Sequence, residues 1–172
     1  RKSTTADVSR LITKLKQENI GGLILDLRRN GGGSLEEAVN LTGLFIKKGP
    51  VVEVKDSLGR VIKDEDKDPS ILYDGPLIVL TSRFSASASE ILAGALKDYH
   101  RALIVGDSST HGKGTVQTLL ELAPYLKSSN PEASFNPGAI KVTIRKFYLP
   151  SGDSTQLKGV TPHIVLPSIN NH

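Results

Sequence analysis

Apolar and polar positions along this chain switch repeatedly between a helical and a strand period. Val8, Leu11, Ile12 and Leu15 recur at helical spacing behind the cap candidates Ser3, Thr4 and Thr5, which predicts a helix ending near Asn19. Leu23 to Leu27 is a short apolar run, read as a buried strand, and it enters Arg28-Arg29-Asn30-Gly31-Gly32-Gly33, a stretch no regular element tolerates. Ser34 and Glu37 have capping-box spacing and open a predicted helix from Leu35 to about Ile46. Val51–Val54 and Arg60–Ile62 flank a turn at Asp56–Gly59 and predict a hairpin, followed by a polar loop from Asp64 to Ser70. Pro76–Leu80 predicts a strand. Ser87 and Glu90 then repeat the capping box before a helix to about Tyr99, with Ile91, Leu92, Ala95 and Leu96 on one face.

The last third of the chain is less regular. Ala102–Val105 reads as a strand and Gly106–Gly114 as a loop, while Thr115–Leu122 is apolar enough to be ordered but leaves its type open. Residues 123–138, rich in Pro, Ser and Asn, read as a surface loop or insertion. Lys141–Tyr148 alternates as a strand, Pro150–Asp153 is a turn, and a final strand is expected within Val160–Val165. Strands alternating with helices, joined by connections long enough for parallel pairing, predict an α/β fold in layers.

Composition narrows the function classes. At 172 residues the chain suits one domain, and 38% hydrophobic with 23% charged residues is the balance of a globular protein. The formal net charge of +4 is spread without a basic block, and aromatics make up only 5%, so neither a nucleic-acid footprint nor a base-stacking surface is expected. The absence of cysteine removes disulfides, thiol nucleophiles and thiolate metal sites. No apolar run approaches the ~20 residues that span a bilayer. A chain that starts at Arg1 and has no Met reads as part of a longer protein, so a leader or anchor would lie outside it.

Three Gly/Ser features follow apolar strands, where α/β folds place their sites: Asn30–Gly33, Ser85–Ser89 and Gly106–Gly114. The third resembles a phosphate loop superficially. However, it has five residues between its glycines, and Gly114 stands where a magnesium-binding hydroxyl would follow Lys113. The other chemistry is a serine hydrolase. Ser87 stands at a helix N-terminus, where free amides favour a developing negative charge, although the same position suits a plain helix cap. A serine needs a base, and lysine serves only when neutral, which requires desolvation or a neighbouring cation. Lys113 between its glycines is the candidate base, Gln117 can orient its amine, and the amides of Ala88 and of a glycine in Gly31–Gly33 are candidate oxyanion donors. His111 is close enough in sequence to Lys113 to be an alternative. His100 and His163 lie near element ends, and His172 is terminal. Asp26 and Arg28 read as structural supports of the glycine loop through a charge-assisted hydrogen bond.

Four stretches in order, L-D-L-R-R-N-G-G-G (Leu25–Gly33), F-S-A-S-A-S-E-I (Phe84–Ile91), G-K-G-T-V-Q (Gly112–Gln117) and F-Y…S-T-Q-L-K-G-V-T-P (Phe147–Pro162), resemble the carboxy-terminal processing, or tail-specific, proteases of peptidase family S41. The resemblance covers nearly the whole chain. It implies a ClpP/crotonase-like α/β core with a layered sheet and flanking helices. It also implies a serine endopeptidase that needs no cofactor or metal and cuts proteins near apolar C-termini with a Ser-Lys dyad. Ser87 would be the nucleophile, Lys113 the base and Gln117 its partner, with the oxyanion held by the amides of Ala88 and Gly33. Asn30, Gly32 and Asp98 would support the site. The partners implied are protein or peptide substrates with apolar C-termini, in a periplasmic or otherwise extracytoplasmic setting. Residues 1–172 correspond to the catalytic core, and the family's tail-binding PDZ domain is expected elsewhere in the full-length chain. The loop before Lys113 is one residue longer than usual, and His111 replaces an aromatic. The alternative reading is a catalytically idle scaffold of the same fold.

Overall fold

A computed structural model describes residues 3–125 and 136–168. Ser3 caps the first helix, α1 (Thr4–Gln17), its hydroxyl accepting the Ala6 amide at 3.2 Å. Strand β1 (Leu23–Asp26) leads through the glycine loop into α2 (Leu35–Gly43), capped by Ser34. The hairpin β2 (Gly49–Asp56) and β3 (Val61–Asp66) follows. The centre of the fold is β4 (Leu77–Thr81), α3 (Ala88–Asp98) and β5 (Leu103–Gly106). Strands β6 (Thr115–Glu121), β7 (Ala139–Tyr148) and the two-residue β8 (Ile164–Val165) complete it.

The elements form two four-stranded sheets. One is parallel, in the order β1-β4-β5-β8; the other is antiparallel, in the order β3-β2-β7-β6. Helix α3 packs against both β5 and β2 and also against α2, so it lies between the sheets. Every residue from Ser89 to Leu96 is buried. That explains the local sequence better than the single apolar face expected for this helix: a helix covered on all sides needs small and apolar residues all round. The core around it joins Val51, Val52, Val54 and Phe147 of one sheet to Leu77, Val79 and Ile104 of the other.

Some boundaries differ from expectation. Helix α2 stops at Gly43 because the amides of Leu44 and Phe45 turn back to carbonyls three residues earlier, and the apolar Phe45 and Ile46 are buried in that turn instead. The charged Asp64–Asp66 continues β3 at the sheet edge rather than forming a loop, as edge strands tolerate charge. Thr115–Glu121 proves to be a strand, and the last strand shrinks to Ile164–Val165. Within the expected loop 123–138, residues 126–135 lie outside the described residues, as does His172.

Candidate active site

Strand β4 delivers the chain to Ser82–Ala86, and three hydroxyls lock the turn before α3. Ser82 Oγ donates to the Arg28 carbonyl, Ser85 Oγ donates to the Leu27 carbonyl at 2.8 Å, and Ser89 Oγ donates to the Asn30 carbonyl at 2.9 Å. The flanking serines of S-A-S-A-S therefore tie the turn to the glycine loop. The middle one, Ser87, has φ of +57°, in the left-handed region that a non-glycine residue occupies at a cost of about 1–3 kcal/mol. Such a bend presents a side chain at the open end of a helix.

The glycine loop packs directly on this bend. Asn30 Oδ1 accepts the Gly32 amide at 2.9 Å, and Gly32 has φ of +99°. A Cβ at Gly32 would stand 2.6 Å from the Ala86 carbonyl oxygen and 2.8 Å from Ser87 Cβ, so only glycine lets the loop approach. Asp26 and Arg28 brace the entry to the loop as expected: their side chains pair at 2.7 Å, and Asp26 Oδ1 also accepts the Arg28 amide at 3.0 Å. The bond to Arg28 holds the Asp26 carboxyl below its ordinary value.

Lys113 reaches the same place from the other sheet. Its amide donates to Glu90 Oε2 at 3.0 Å, and its carbonyl accepts from Thr155 Oγ1 at 2.8 Å. The neighbouring Gly114 donates to Gln156 Oε1 at 2.8 Å, and a Cβ there would stand 2.7 Å from Gln156, which explains this glycine. The backbone of the lysine is thus pinned on both sides. Gln117, on β6, places its amide nitrogen 3.5 Å from Thr143 Oγ1 across the ladder, leaving its carbonyl oxygen available as an acceptor.

Glu90 connects the two halves. It is fully buried, and its carboxylate accepts four bonds: the Ser87 amide at 2.8 Å, Thr110 Oγ1 at 2.6 Å, the Gly112 amide at 2.7 Å and the Lys113 amide at 3.0 Å. A buried carboxylate is tolerated when its lone pairs are this well satisfied. The capping-box spacing identified Glu90 as a local partner of Ser87. Its bonds to Thr110, Gly112 and Lys113 come from the far side of the fold and left no mark in that spacing. Thr155 and Gln156 fall within the S-T-Q stretch, the signal that marked this segment.

Ser87, Ala88, Lys113 and Gln117 line one cavity of about 520 Å³ with Gly31, Gly32 and Gly33. Its other walls are the apolar Leu35, Ile91, Val116 and Phe147, together with Thr115 and Lys141. The structure therefore brings together the sequence candidates Ser87, Lys113, Gln117, Ala88, Gly33 and Gly32. Asn30 sits behind the loop as a brace. Asp98 lies away from the cavity at the C-terminal end of α3, where it accepts the Ser151 amide at 2.9 Å. His111 does not line the cavity; its amide donates to the Ser85 carbonyl at 3.0 Å. His163 Nδ1 accepts the Ile104 amide at 2.9 Å. The segment after Lys113 is strand β6, not the helix a phosphate loop requires, which removes the nucleotide-binding reading. Among the described residues, no group of three or more His, Asp or Glu side chains is placed to hold a metal ion.

A serine on a tight strand-to-helix turn, open amides beside it and a lysine across a cavity form the frame of a serine peptidase core. The comparisons specify which one. The sequence pattern of Peptidase family S41 matches residues 1–166, and the chain belongs to that family. It is 48% identical over 166 residues to the tail-specific protease of Haemophilus influenzae, covering 96% of this chain and 23% of that protein. It is 38% identical over 165 residues to the chloroplastic C-terminal processing peptidase of Tetradesmus obliquus, covering 95% of this chain and 32% of that protein. The solved photosystem II D1 C-terminal processing protease superposes with a TM-score of 0.79 at 34% identity, over 96% of this chain and 40% of that one. The ClpP/crotonase-like α/β class expected from the motifs is the fold observed. The chain spans about a quarter to two-fifths of the length of these proteins.

Proposed function

We propose that the chain is the catalytic core of a serine endopeptidase with a Ser87–Lys113 dyad, cutting proteins or peptides near apolar C-termini. Ser87 Oγ attacks the scissile carbonyl carbon, its proton passes to the neutral amine of Lys113, and the carbonyl electrons move onto oxygen. The amides of Ala88 and Gly33 hold that oxyanion. Its collapse expels the leaving amine, which takes the proton from Lys113, and water then releases the acyl group from Ser87 by the same route. Gln117 orients the Lys113 amine through its free carbonyl oxygen. The observation that carries this reading is Ser87 held at positive φ on the N-terminus of a buried helix, in one cavity with Lys113.

The apolar lining of Leu35, Ile91, Val116 and Phe147 suits an uncharged side chain beside the scissile bond. Names of relatives such as tail-specific protease and C-terminal processing peptidase support the same substrate class. In the longer polypeptide, capture of the tail falls to a separate PDZ module, in an extracytoplasmic setting. Among the described residues no helix is long and apolar enough to cross a membrane. The test is cleavage of an unfolded protein ending in small apolar residues, compared with the same protein ending in charged ones. The apolar tail is expected to be cut faster, with cleavage abolished by Ser87→Ala. Turnover that survives Ser87→Ala removes the assignment. An inactive parent chain with an active full-length protein would instead show that the core depends on the flanking modules.

A further inference from the structure

We propose that Lys141 is a specificity-determining residue that reads a carboxylate on the substrate, within a few residues of the scissile bond. This inference rests on the cavity being the peptide-binding site. Lys141 lines that cavity from β7, opposite Leu119 of β6. Lys141 and Thr143 lie on one face of β7, opposite Leu119 and Gln117 of β6. Gln117 lines the cavity and meets Thr143, so that face is the one turned to the site.

The cations that line the cavity, Lys113 and Lys141, are uncompensated. The four ion pairs among the described residues, Arg10–Asp7, Arg28–Asp26, Arg60–Asp56 and Lys63–Glu53, leave out Lys113, Lys141 and Arg145. The carboxylate nearest the dyad, Glu90, is buried and saturated with four donors. Glu121 stands at the end of the ribbon, paired with Ala139 rather than with Lys141. The cavity therefore offers apolar wall for a side chain and cations for an anion.

From Thr115, beside the dyad, to Leu119, opposite Lys141, is four strand residues, about 13 Å of extended chain. A substrate cut close to its end carries its α-carboxylate within that reach. A glutamate or aspartate side chain downstream of the cut offers the same chemistry. A lysine, with a flexible stem and a compact charge, accepts a carboxylate at more than one register.

Binding separates this inference from the dyad. In a Ser87→Ala background nothing is turned over, and fluorescence anisotropy reads affinity for a labelled apolar peptide. Three forms are compared: the free C-terminal acid, its C-terminal amide, and the amide with a glutamate near the end. The acid is expected to bind about fivefold more tightly than the plain amide at low salt, the scale of an accessible charge pair. The preference should shrink as salt is raised, vanish in Ser87→Ala/Lys141→Gln and reverse in Ser87→Ala/Lys141→Glu. Affinity regained by the glutamate peptide assigns the site to side-chain carboxylates as well; no gain assigns it to the chain end. Unchanged thermal midpoints show that the variants are folded. Equal affinity for acid and amide in the parent background, a preference that survives Lys141→Gln, or no binding of any peptide would each overturn the inference. An inactive Ser87–Lys113 pair with the preference intact would instead overturn the dyad alone.

Discussion

The cavity has two walls built on different principles. The Ser87 wall is assembled at the N-terminus of a fully buried helix, with Gly32 in contact and three serine hydroxyls holding the turn. The Lys113 wall continues into a ribbon, β6 and β7, whose residues beyond Val116 are exposed on β6 and up to Lys146 on β7. The first wall is rigid through packing. The second is rigid only at its root, where Glu90 and Thr155 grip the lysine backbone. On the proposed mechanism the contrast separates two tasks: the nucleophile and oxyanion donors would need fixed geometry, whereas the exposed ribbon that carries Gln117 and Lys141 would meet the substrate. Glu90 keeps the two in register.

Breaking that register should give the largest effect. Glu90→Ala would leave four buried donors without an acceptor and is expected to cost about 3–5 kcal/mol, a large share of a domain's total, read by urea unfolding. Glu90→Gln is the sharper test. Its single carbonyl oxygen can keep Thr110 and Gly112, while its NH₂ group would oppose the Ser87 and Lys113 amides. The variant should fold, with kcat reduced about 10–100-fold and KM little changed, in steady-state peptide kinetics. Unaltered kcat would mean that the walls do not depend on this carboxylate.

Gly32→Ala attacks the rigid wall alone. The added Cβ meets backbone and Ser87 Cβ below 3 Å, so about 2 kcal/mol of stability and most of the activity should be lost. Asn30→Ala removes the acceptor of the Gly32 amide at an exposed position and should cost about 1 kcal/mol, seen as a lower urea midpoint. The smallest effect is expected at the exposed Asp26–Arg28 pair. Because pairing lowers the folded-state pKa of Asp26 below 3.8, its contribution is present above that pH and fades as pH falls through the folded value. An Arg28→Ala variant should lose most of that dependence in acid unfolding, the amide at position 28 still holding Asp26 Oδ1, and differ little at neutral pH.

Much of the rigid wall was legible because its causes are local. A β-branched run, a serine with glutamate three residues on, and a row of glycines each state their own geometry; they marked Ser87 as a cap or a nucleophile and Gly31–Gly33 as a loop, whereas Gly33, Gly32 and Asn30 were singled out by the family resemblance. The second wall was harder to read. Thr115–Glu121 carries little alternation because the ribbon is exposed, so its type stayed open until pairing with β7 resolved it. The antiparallel sheet was hidden for another reason: β2 pairs with β7 across most of the chain, and no local pattern encodes such a partner. Phe45 and Ile46 extended a predicted helix because apolar residues satisfy a buried turn as well as a helix face. The brace at Asp26 and Arg28 was legible because a carboxylate two residues before an arginine reaches both its amide and its guanidinium.

The central claim is that Lys113 is the base for Ser87. Its most direct test is the pH profile of kcat/KM for an apolar-tailed peptide from about pH 6 to about pH 10, in the parent, Lys113→Ala and His111→Ala. Activity is expected to rise as an amine loses its proton, to keep that form in His111→Ala and to be abolished in Lys113→Ala. Activity that survives Lys113→Ala, or a rising limb that disappears with His111→Ala, would contradict it.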